Sequence, residues 1–375
     1  MNDFDRDVCC LLGLPIDAVT MAQAVARVRA AAASRTRCFV STPNLNFLIA
    51  AQDDAGFRQS VLDSDLSLAD GMPILWLARL TGVPLPERVA GSDVFAVLRE
   101  GEADRGREAA PTRTDGDPLR VFFFGGQEGI AERACERLNA EGGGLRCVGA
   151  YGPGFGSLDE MSAPAVIAQV NASEADLLVV ALGARKGQAW IVRNLAGLTI
   201  PVVSHLGAVI NFVAGNVRRA PAWMRRAGLE WAWRIREEPA LWRRYAGDGL
   251  ELLWLMVTRV MPFLVWRLVN RGGGAAPAEV AHGRKANSTG RIALRGGLVA
   301  SALAPVRQAF REAAAAGGDL VVDLGGVTRV DGAFLGLLLV LEKHVRRAGG
   351  RLVVENTPST VRRIFRWNGV GYLVE

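Results

Sequence analysis

Short apolar runs alternate with longer amphipathic stretches along the chain, and this alternation holds to about residue 215. CFVST (38–42), LRVFFFG (119–125), ADLLVVALG (175–183) and IPVVSHLG (200–207) are predominantly apolar runs, the pattern of strands buried on both faces. LSLADG (66–71) is expected to be a further strand, running into an Asp70-Gly71 turn. The segment from residue 9 opens with the apolar run CCLLGLPI and continues as an Ala- and Arg-rich helix to about residue 35. Helical spacing returns over 46–63, from Pro73 onward, and after ERVAGSD (87–93), where Ser92 or Asp93 is a candidate N-cap. Residues 119–138 form the clearest strand–turn–helix unit. Their Gly125-Gly126 turn suits a phosphate, but the dinucleotide fingerprint is incomplete and a bare turn is the stronger reading. Residues 100–118 and YGPGFG (151–156) are loops. Strands alternating with helices predict an α/β fold with a Rossmann-like, mainly parallel sheet.

The pattern changes twice after residue 215. Leu250–Asn270 is almost wholly apolar, but Glu251, Arg259 and Arg267 interrupt it and Pro262 is expected to break it. A spanning helix needs about 20 clean apolar residues. An interfacial helix, with Trp254 and Trp266 at headgroup depth, suits the segment better, alongside burial against the protein or self-association. Residues 271–290 are rich in Gly, Ala and Pro and read as a flexible linker. From 291 to 375 strands and helices alternate again, enough for a small α/β domain that folds alone. The expected division is therefore 1–247, with a basic appendage over about 216–247, then 248–270, a linker over 271–290, and 291–375.

Charge singles out one segment. Arg218 to Arg271 holds eleven arginines, no lysine and five acidic residues, a surplus equal to the +6 of the whole 375-residue chain. A planar guanidinium grips phosphate oxygens bidentately, which an ammonium does not. Tryptophans 223, 231, 233, 242, 254 and 266 run through the same stretch, so a phosphate-bearing ligand near a membrane surface is one reading and a solvated basic face over a Trp-rich core the other. Arginine clustering also fits nucleic acid, but nothing else in the chain does. Half of the residues are apolar, which excludes global disorder. The acidic start MNDFDRD predicts no signal peptide. The five cysteines (9, 10, 38, 135, 147) and three histidines lack metal-ligand spacing, which suits buried thiols in a reducing cytosol and predicts neither a metal site nor a cofactor.

Several motifs carry a resemblance. ST-P-N at 41–44, ADG-M-P at 69–73, ERVAGSD at 87–93, and AG-x-V-x-RAP-x-W…GLEW-x-W-R…EP-x-x-x-x-RY at 214–245 resemble the WecG/TagA/CpsF glycosyltransferases (glycosyltransferase family 26) over roughly residues 9–247. The resemblance implies an inverting, metal-independent transfer of a sugar from a UDP donor to a polyprenyl-diphosphate-linked acceptor in surface polysaccharide synthesis. It also implies a cytoplasmic enzyme peripheral to the inner face of the membrane. Asp70 is then the general base that deprotonates the acceptor hydroxyl. Thr42 and Asn44 would bind the donor sugar or orient that base, and Arg88 belongs to the matched ERVAGSD block. Arg219, Arg234, Arg243 and Arg244 are the candidates to offset the leaving diphosphate.

Two stretches depart from the family pattern. Where it has Leu-Gly-x-Pro-Lys-Gln-Glu-x-Trp, this chain reads Leu182-Gly-Ala-Arg-Lys-Gly-Gln-Ala-Trp190. Where it has Gly-Val-Gly-Ala…Phe-Asp-Phe, this chain has His205-Leu-Gly-Ala…Ile-Asn211-Phe. Gln188 and Asn211 are expected to read the donor, and His205 is either a replacement contact or a satisfied core residue. Residues 290–375, with DLGGVTRVDGAFLGLLLVLEKHVRRAGG, resemble a STAS domain. Where partner-switching members carry a phosphorylated Ser after the Asp, Asp331 is followed here by Gly332 and Ala333, so a docking module for a protein partner or self-association is expected rather than a phospho-switch. The alternative reading of the whole chain is an impaired scaffold, or a regulatory or docking protein of a polysaccharide assembly complex.

Overall fold

A computed structural model describes residues 3–101, 117–154, 156–270, 277–284 and 290–375. Near the start, the apolar run folds into an antiparallel hairpin of β1 (Val8–Leu11) and β2 (Leu14–Asp17), all of it buried. The main sheet is formed by β3 (Cys38–Ser41), β4 (Leu66–Ser67), β5 (Leu119–Gly125), β6 (Leu145–Tyr151), β7 (Leu177–Ala181) and β8 (Val202–His205). All its pairings are parallel, in the spatial order β4-β3-β8-β7-β5-β6. Helices cover both faces, so the strands read as mostly apolar runs. Phe39, Phe122, Phe124 and Trp190 fill one side, and Val121, Phe123, Val179 and Val202 the other. The 87–93 motif ends in a helix, Gly91–Glu100, but its N-cap is Ala90, so Ser92 and Asp93 lie inside the first turn rather than at the cap. The expected 100–118 loop falls mostly on residues 102–116, outside the described residues.

Two cysteines depart from the expected set of free thiols. The Ile130–Glu141 helix packs on β6, bringing the Cα atoms of Cys135 and Cys147 to 5.2 Å, and the pair forms a disulfide. Cys9, Cys10 and Cys38 stay free, with burial pushing each thiol up to about 12.

Pro262 does not end the apolar helix. Trp242–Leu255 runs into one π-helical turn, Met256–Val260, and then into Met261–Val269. The turn absorbs the proline by shifting the ladder: the Met261 N–H donates to the Met256 carbonyl five residues back. Over Pro239–Val269 the helix is long and apolar enough to cross a membrane, and only 17% of its most apolar stretch is buried. The covered face serves two cores, Leu255 and Val260 on the hairpin side and Phe263 on the C-terminal side.

The C-terminal unit is a four-stranded sheet in the order β12-β11-β10-β9, built from β9 (Glu279–Arg284), β10 (Gly290–Leu298), β11 (Leu320–Val330) and β12 (Leu352–Glu355). Within the expected 271–290 linker, residues 279–284 are thus a strand, antiparallel to β10, while 271–276 and 285–289 lie outside the described residues. The long Gly332–Arg347 helix, capped by Asp331, lies against the N-terminal hairpin. A Cβ on Gly336 would stand 2.2 Å from the Val8 carbonyl oxygen, so only glycine permits this approach.

Charge is buried at the same junction. Lys343, 1% exposed at its side chain, is 2.6 Å from Asp3 and 2.9 Å from Asp65, and donates to the Ser64 carbonyl at 2.8 Å. Arg6 bridges Asp3 and Asp17, with Arg6 Nη2 to Asp17 Oδ2 at 2.7 Å. Burial alone would raise the Asp3 pKa, yet His344, Arg6 and Lys343 together hold it far below the usual carboxylate range. Asp65 also accepts from the Phe39 N–H at 3.0 Å, which ties the junction to β3. Lys343→Met should therefore lower stability by about 3–5 kcal/mol, because it leaves buried carboxylates without their cation. Urea unfolding followed by tryptophan fluorescence should show an earlier midpoint, and an unchanged midpoint would contradict a shared junction.

Candidate active site

The carboxyl ends of β3, β4, β7 and β8 open into one cavity of about 850 Å³. Open parallel sheets place ligands at this edge, because the loops leaving the strands converge there. Thr42 and Asn44 follow β3, Asp70 follows β4, Gly183 and Ala184 follow β7, and His205 to Ala208 close β8. The basic appendage forms the opposite wall with Trp231, Arg234, Trp242, Arg244 and Tyr245.

Asp70 sits where backbone contacts fix it. Its N–H donates to the Pro43 carbonyl at 2.9 Å, and its Oδ2 accepts from the Gly91 N–H at 3.4 Å. Burial pushes its pKa up to about 7; Arg88 and the Gly91 N–H act against this, while Glu230 and Asp93 add to it. A carboxyl with a pKa near 7 is still substantially ionised at neutral pH and binds a proton more tightly than an ordinary carboxylate, which suits a general base. Asn44 lines the cavity and also caps the Leu45–Asp53 helix, its Oδ1 accepting from the Phe47 N–H at 3.1 Å.

Positive potential comes from two sources. The helices Ala184–Asn194 and Gly207–Ala214 both begin at the cavity without a side-chain cap, so their first N–H groups remain available to an anion. Three arginines converge on Asp93: Arg88 at 2.5 Å, Arg225 at 2.8 Å, and Arg219. Arg88 also reaches Glu230 at 3.4 Å. The Nε atoms of Arg225 and Arg234 are buried without a hydrogen-bond partner. Arg234 lies over the Phe212 ring, 5.6 Å from its centroid. Among the described residues, no three His, Cys, Asp or Glu side chains are grouped as metal ligands would be. The cavity can thus hold an anionic ligand beside a proton acceptor.

Of the ten site residues singled out from the sequence, Thr42, Asn44, Asp70, Arg88, Asn211, Arg234 and Arg244 line this cavity and three do not. Gln188 is fully buried and exchanges hydrogen bonds with Ser41, the closer at 3.1 Å, because its place on the helix turns it under the sheet. Arg219 is spent on Asp93 and Ser92 behind the wall. Arg243 stacks on Trp242, 5.7 Å from the ring centroid and outside the cavity. Conversely, Arg225, Glu230 and Trp76 line the cavity without having been singled out, as does Asp248, which accepts from Asn46 at 3.4 Å. For Arg225 and Glu230 the signal was the Trp/Arg density of the appendage and the 214–245 motif; Trp76 and Asp248 carried none.

Comparison with known proteins gives the class, a glycosyltransferase. Residues 9–263 match the glycosyl transferase WecG/TagA/CpsF family, and the chain belongs to that family. Residues 282–375 match a STAS domain of the Mlab type. The chain is similar to N-acetylglucosaminyldiphosphoundecaprenol N-acetyl-beta-D-mannosaminyltransferase of Bacillus spizizenii, 31% identical over 206 residues, 53% of this chain and 74% of the relative. The protein of the same description from Bacillus subtilis is 29% identical, over 55% of this chain and 73% of its own length. Among solved structures, the unphosphorylated anti-sigma factor antagonist SpoIIAA aligns at 21% identity and a TM-score of 0.24, covering 26% of this chain and 86% of SpoIIAA.

Raising a buried carboxyl from 3.8 to about 7 has a thermodynamic sign. The folded state holds the proton more tightly than the unfolded state, so this contribution to stability is present below pH 3.8 and is lost as pH rises through about 7. Asp70→Asn, which mimics the protonated form, should raise the melting temperature at pH 8 and leave it nearly unchanged at pH 4. Equal shifts at both pH values would contradict the raised pKa.

Proposed function

We propose that this chain is an inverting glycosyltransferase that moves a sugar from a UDP donor onto a polyprenyl-diphosphate-linked acceptor for a surface glycan. The observation that carries the reading is Asp70, a carboxylate with its pKa near 7, set beside uncapped helix N-termini and arginines in one cavity. Family membership supports the transfer class, and the names of the two Bacillus relatives support a diphosphate-lipid acceptor carrying N-acetylglucosamine.

In this mechanism Asp70 takes the proton of the acceptor hydroxyl as its oxygen attacks the anomeric carbon from the face opposite the leaving group. The bond from that carbon to the diphosphate oxygen breaks, and UDP departs with the electron pair. Arg234, Arg225 and the N–H groups at residues 184 and 207 offset the charge that develops on the diphosphate, without a metal ion. Thr42 and Asn44 hold the sugar or orient Asp70.

The exposed stripe on the long helix supports a position on the inner surface of the cytoplasmic membrane. Leu250, Leu253, Trp254, Val257, Met261 and Val265 recur at helical spacing, and each is at least 47% exposed. The opposite face of the same helix is covered by both domains, which favours lying along a membrane over crossing one. The STAS unit acts as an internal brace, since its Gly332–Arg347 helix packs on the N-terminal hairpin.

Two experiments test this reading. Full-length protein, a panel of UDP-sugars and a lipid-diphosphate acceptor should give UDP release and glycosylated lipid in the presence of EDTA. The value of kcat/KM should rise with pH to a plateau above about 7, and Asp70→Asn should lower kcat by about 10²–10⁴-fold. Clear UDP-sugar binding without turnover would favour the scaffold reading. In flotation with anionic vesicles, Leu253→Glu together with Val257→Glu should weaken binding by roughly tenfold or more. Unchanged flotation would remove the helix from the membrane.

A further inference from the structure

The helix Trp242–Leu255 has two working faces. Arg244, Tyr245, Asp248 and Leu252 recur at helical spacing and line the cavity, whereas Leu250, Leu253 and Trp254 are exposed on the other side. Asp248 is a charge on the inner face and is only 8% exposed. The Asn46 amide reaches its two oxygens at 3.4 and 3.5 Å, both long for an N–H donor. A carboxylate has about four lone-pair sites, and burying its charge with so few hydrogen bonds is costly. A neutral amide or hydroxyl at 248 could tether Asn46 equally well without burying a charge. The carboxylate is thus underused by the fold and open to a ligand.

Chemistry limits what that ligand group can be. An ionised carboxylate accepts hydrogen bonds and donates none, and it repels phosphate. An ionised diphosphate offers only acceptors, so it does not fit at Asp248. Hydroxyl and amide N–H groups do fit, and a sugar supplies both. Arg244 stands one turn earlier on the same face, about 6 Å along the axis. The wall therefore presents a cation and then a carboxylate, which suits a ligand whose diphosphate is joined directly to a sugar.

Two such ligands enter this cavity, and the helix favours one of them. The donor diphosphate is met by Arg225, Arg234 and the N–H groups at 184 and 207, none of which belongs to this helix. The outer face carries the apolar stripe that supports a membrane position, and Leu241, Trp242 and Leu252 continue apolar surface into the cavity. A ligand held by a lipid tail arrives on that side.

We propose that Asp248 binds the sugar of the lipid-linked acceptor, its carboxylate accepting hydrogen bonds from hydroxyl or acetamido N–H groups. This rests on the transferase reading above and adds the residue that recognises the acceptor sugar. Asp70 takes the proton of the attacking hydroxyl, while Asp248 holds the same ring through its other groups.

The test measures binding by calorimetry to the full-length chain and to its Asp248→Ala and Asp248→Asn variants. The probes are N-acetylglucosaminyl diphosphate carrying a short prenyl chain, the same prenyl diphosphate without sugar, UDP and UDP-N-acetylglucosamine, with turnover followed in parallel. Asp248→Ala should weaken the sugar-bearing prenyl diphosphate by about ten- to a hundredfold and leave the other three unchanged. In turnover, KM for the acceptor should rise while kcat at saturation changes little. Asp248→Asn keeps the shape and one acceptor oxygen, so it should recover part of the loss, and it carries the comparison if the alanine variant melts early. Wild-type affinity of both variants for the sugar-bearing probe would overturn the proposal. An equal loss for the sugar-free prenyl diphosphate would also overturn it, by making Asp248 a structural tether. A loss confined to UDP or UDP-N-acetylglucosamine would overturn it by moving the carboxylate to the donor. Wild-type binding of the acceptor without transfer would count against the transferase reading alone, and the binding comparison would still decide the role of Asp248. No acceptor binding by the wild type would overturn both.

Discussion

One carboxylate holds the basic wall of the cavity in place. Asp93, in the first turn of the Gly91–Glu100 helix, receives Arg88 from the core side and Arg219 and Arg225 from the appendage. Three guanidiniums on one carboxylate leave a local excess of positive charge after the structural need is met. The same contact that folds the appendage over the sheet therefore charges the cavity for an anion. Asp70, which accepts from the Gly91 N–H at the start of the same helix, feels both signs: burial, Glu230 and Asp93 push its pKa up, while Arg88 pulls it down. Remove Asp93 and the wall, the potential and the Asp70 carboxyl all change together.

Much of the fold was legible because buried parallel strands cannot hide. LLVVA is apolar at every position and CFVS, LRVFFFG and VVSH are mostly so, and each forms a strand of the main sheet. What stayed illegible lacks that signature. LRCVGAY, β6, is at the sheet edge and partly open, so Arg and Gly dilute its pattern. EVAHGR, β9, sits in a Gly- and Ala-rich tract and is a strand because β10 offers it an edge, not because its composition demands one. The Cys135–Cys147 bridge depends on a helix crossing a strand, which residue spacing cannot announce.

The site was legible where a residue follows a strand and illegible where helical phase decides. Thr42, Asn44 and Asp70 reach the cavity because a strand end delivers whatever comes next. Gln188 and Gly187 are neighbours in sequence, but about 100° of helix rotation sends one under Ser41 and the other beneath His205. The arginines show the same limit, since Arg243 stacks outside on Trp242 while Arg244, one residue on, lines the cavity.

The π-helical turn at Met256–Val260 has a bearing on how this chain tolerates change in length. A π turn is an α-helix with one residue too many, so everything beyond it is rotated by about one residue's angle relative to everything before it. That offset lets a single rod present Leu255 and Val260 to one core and Phe263 to another. Deleting one residue here would give a more regular helix and a worse protein, because its two halves would then point their apolar faces in mismatched directions. The extra residue works as a phase shifter between two domains that share a shaft.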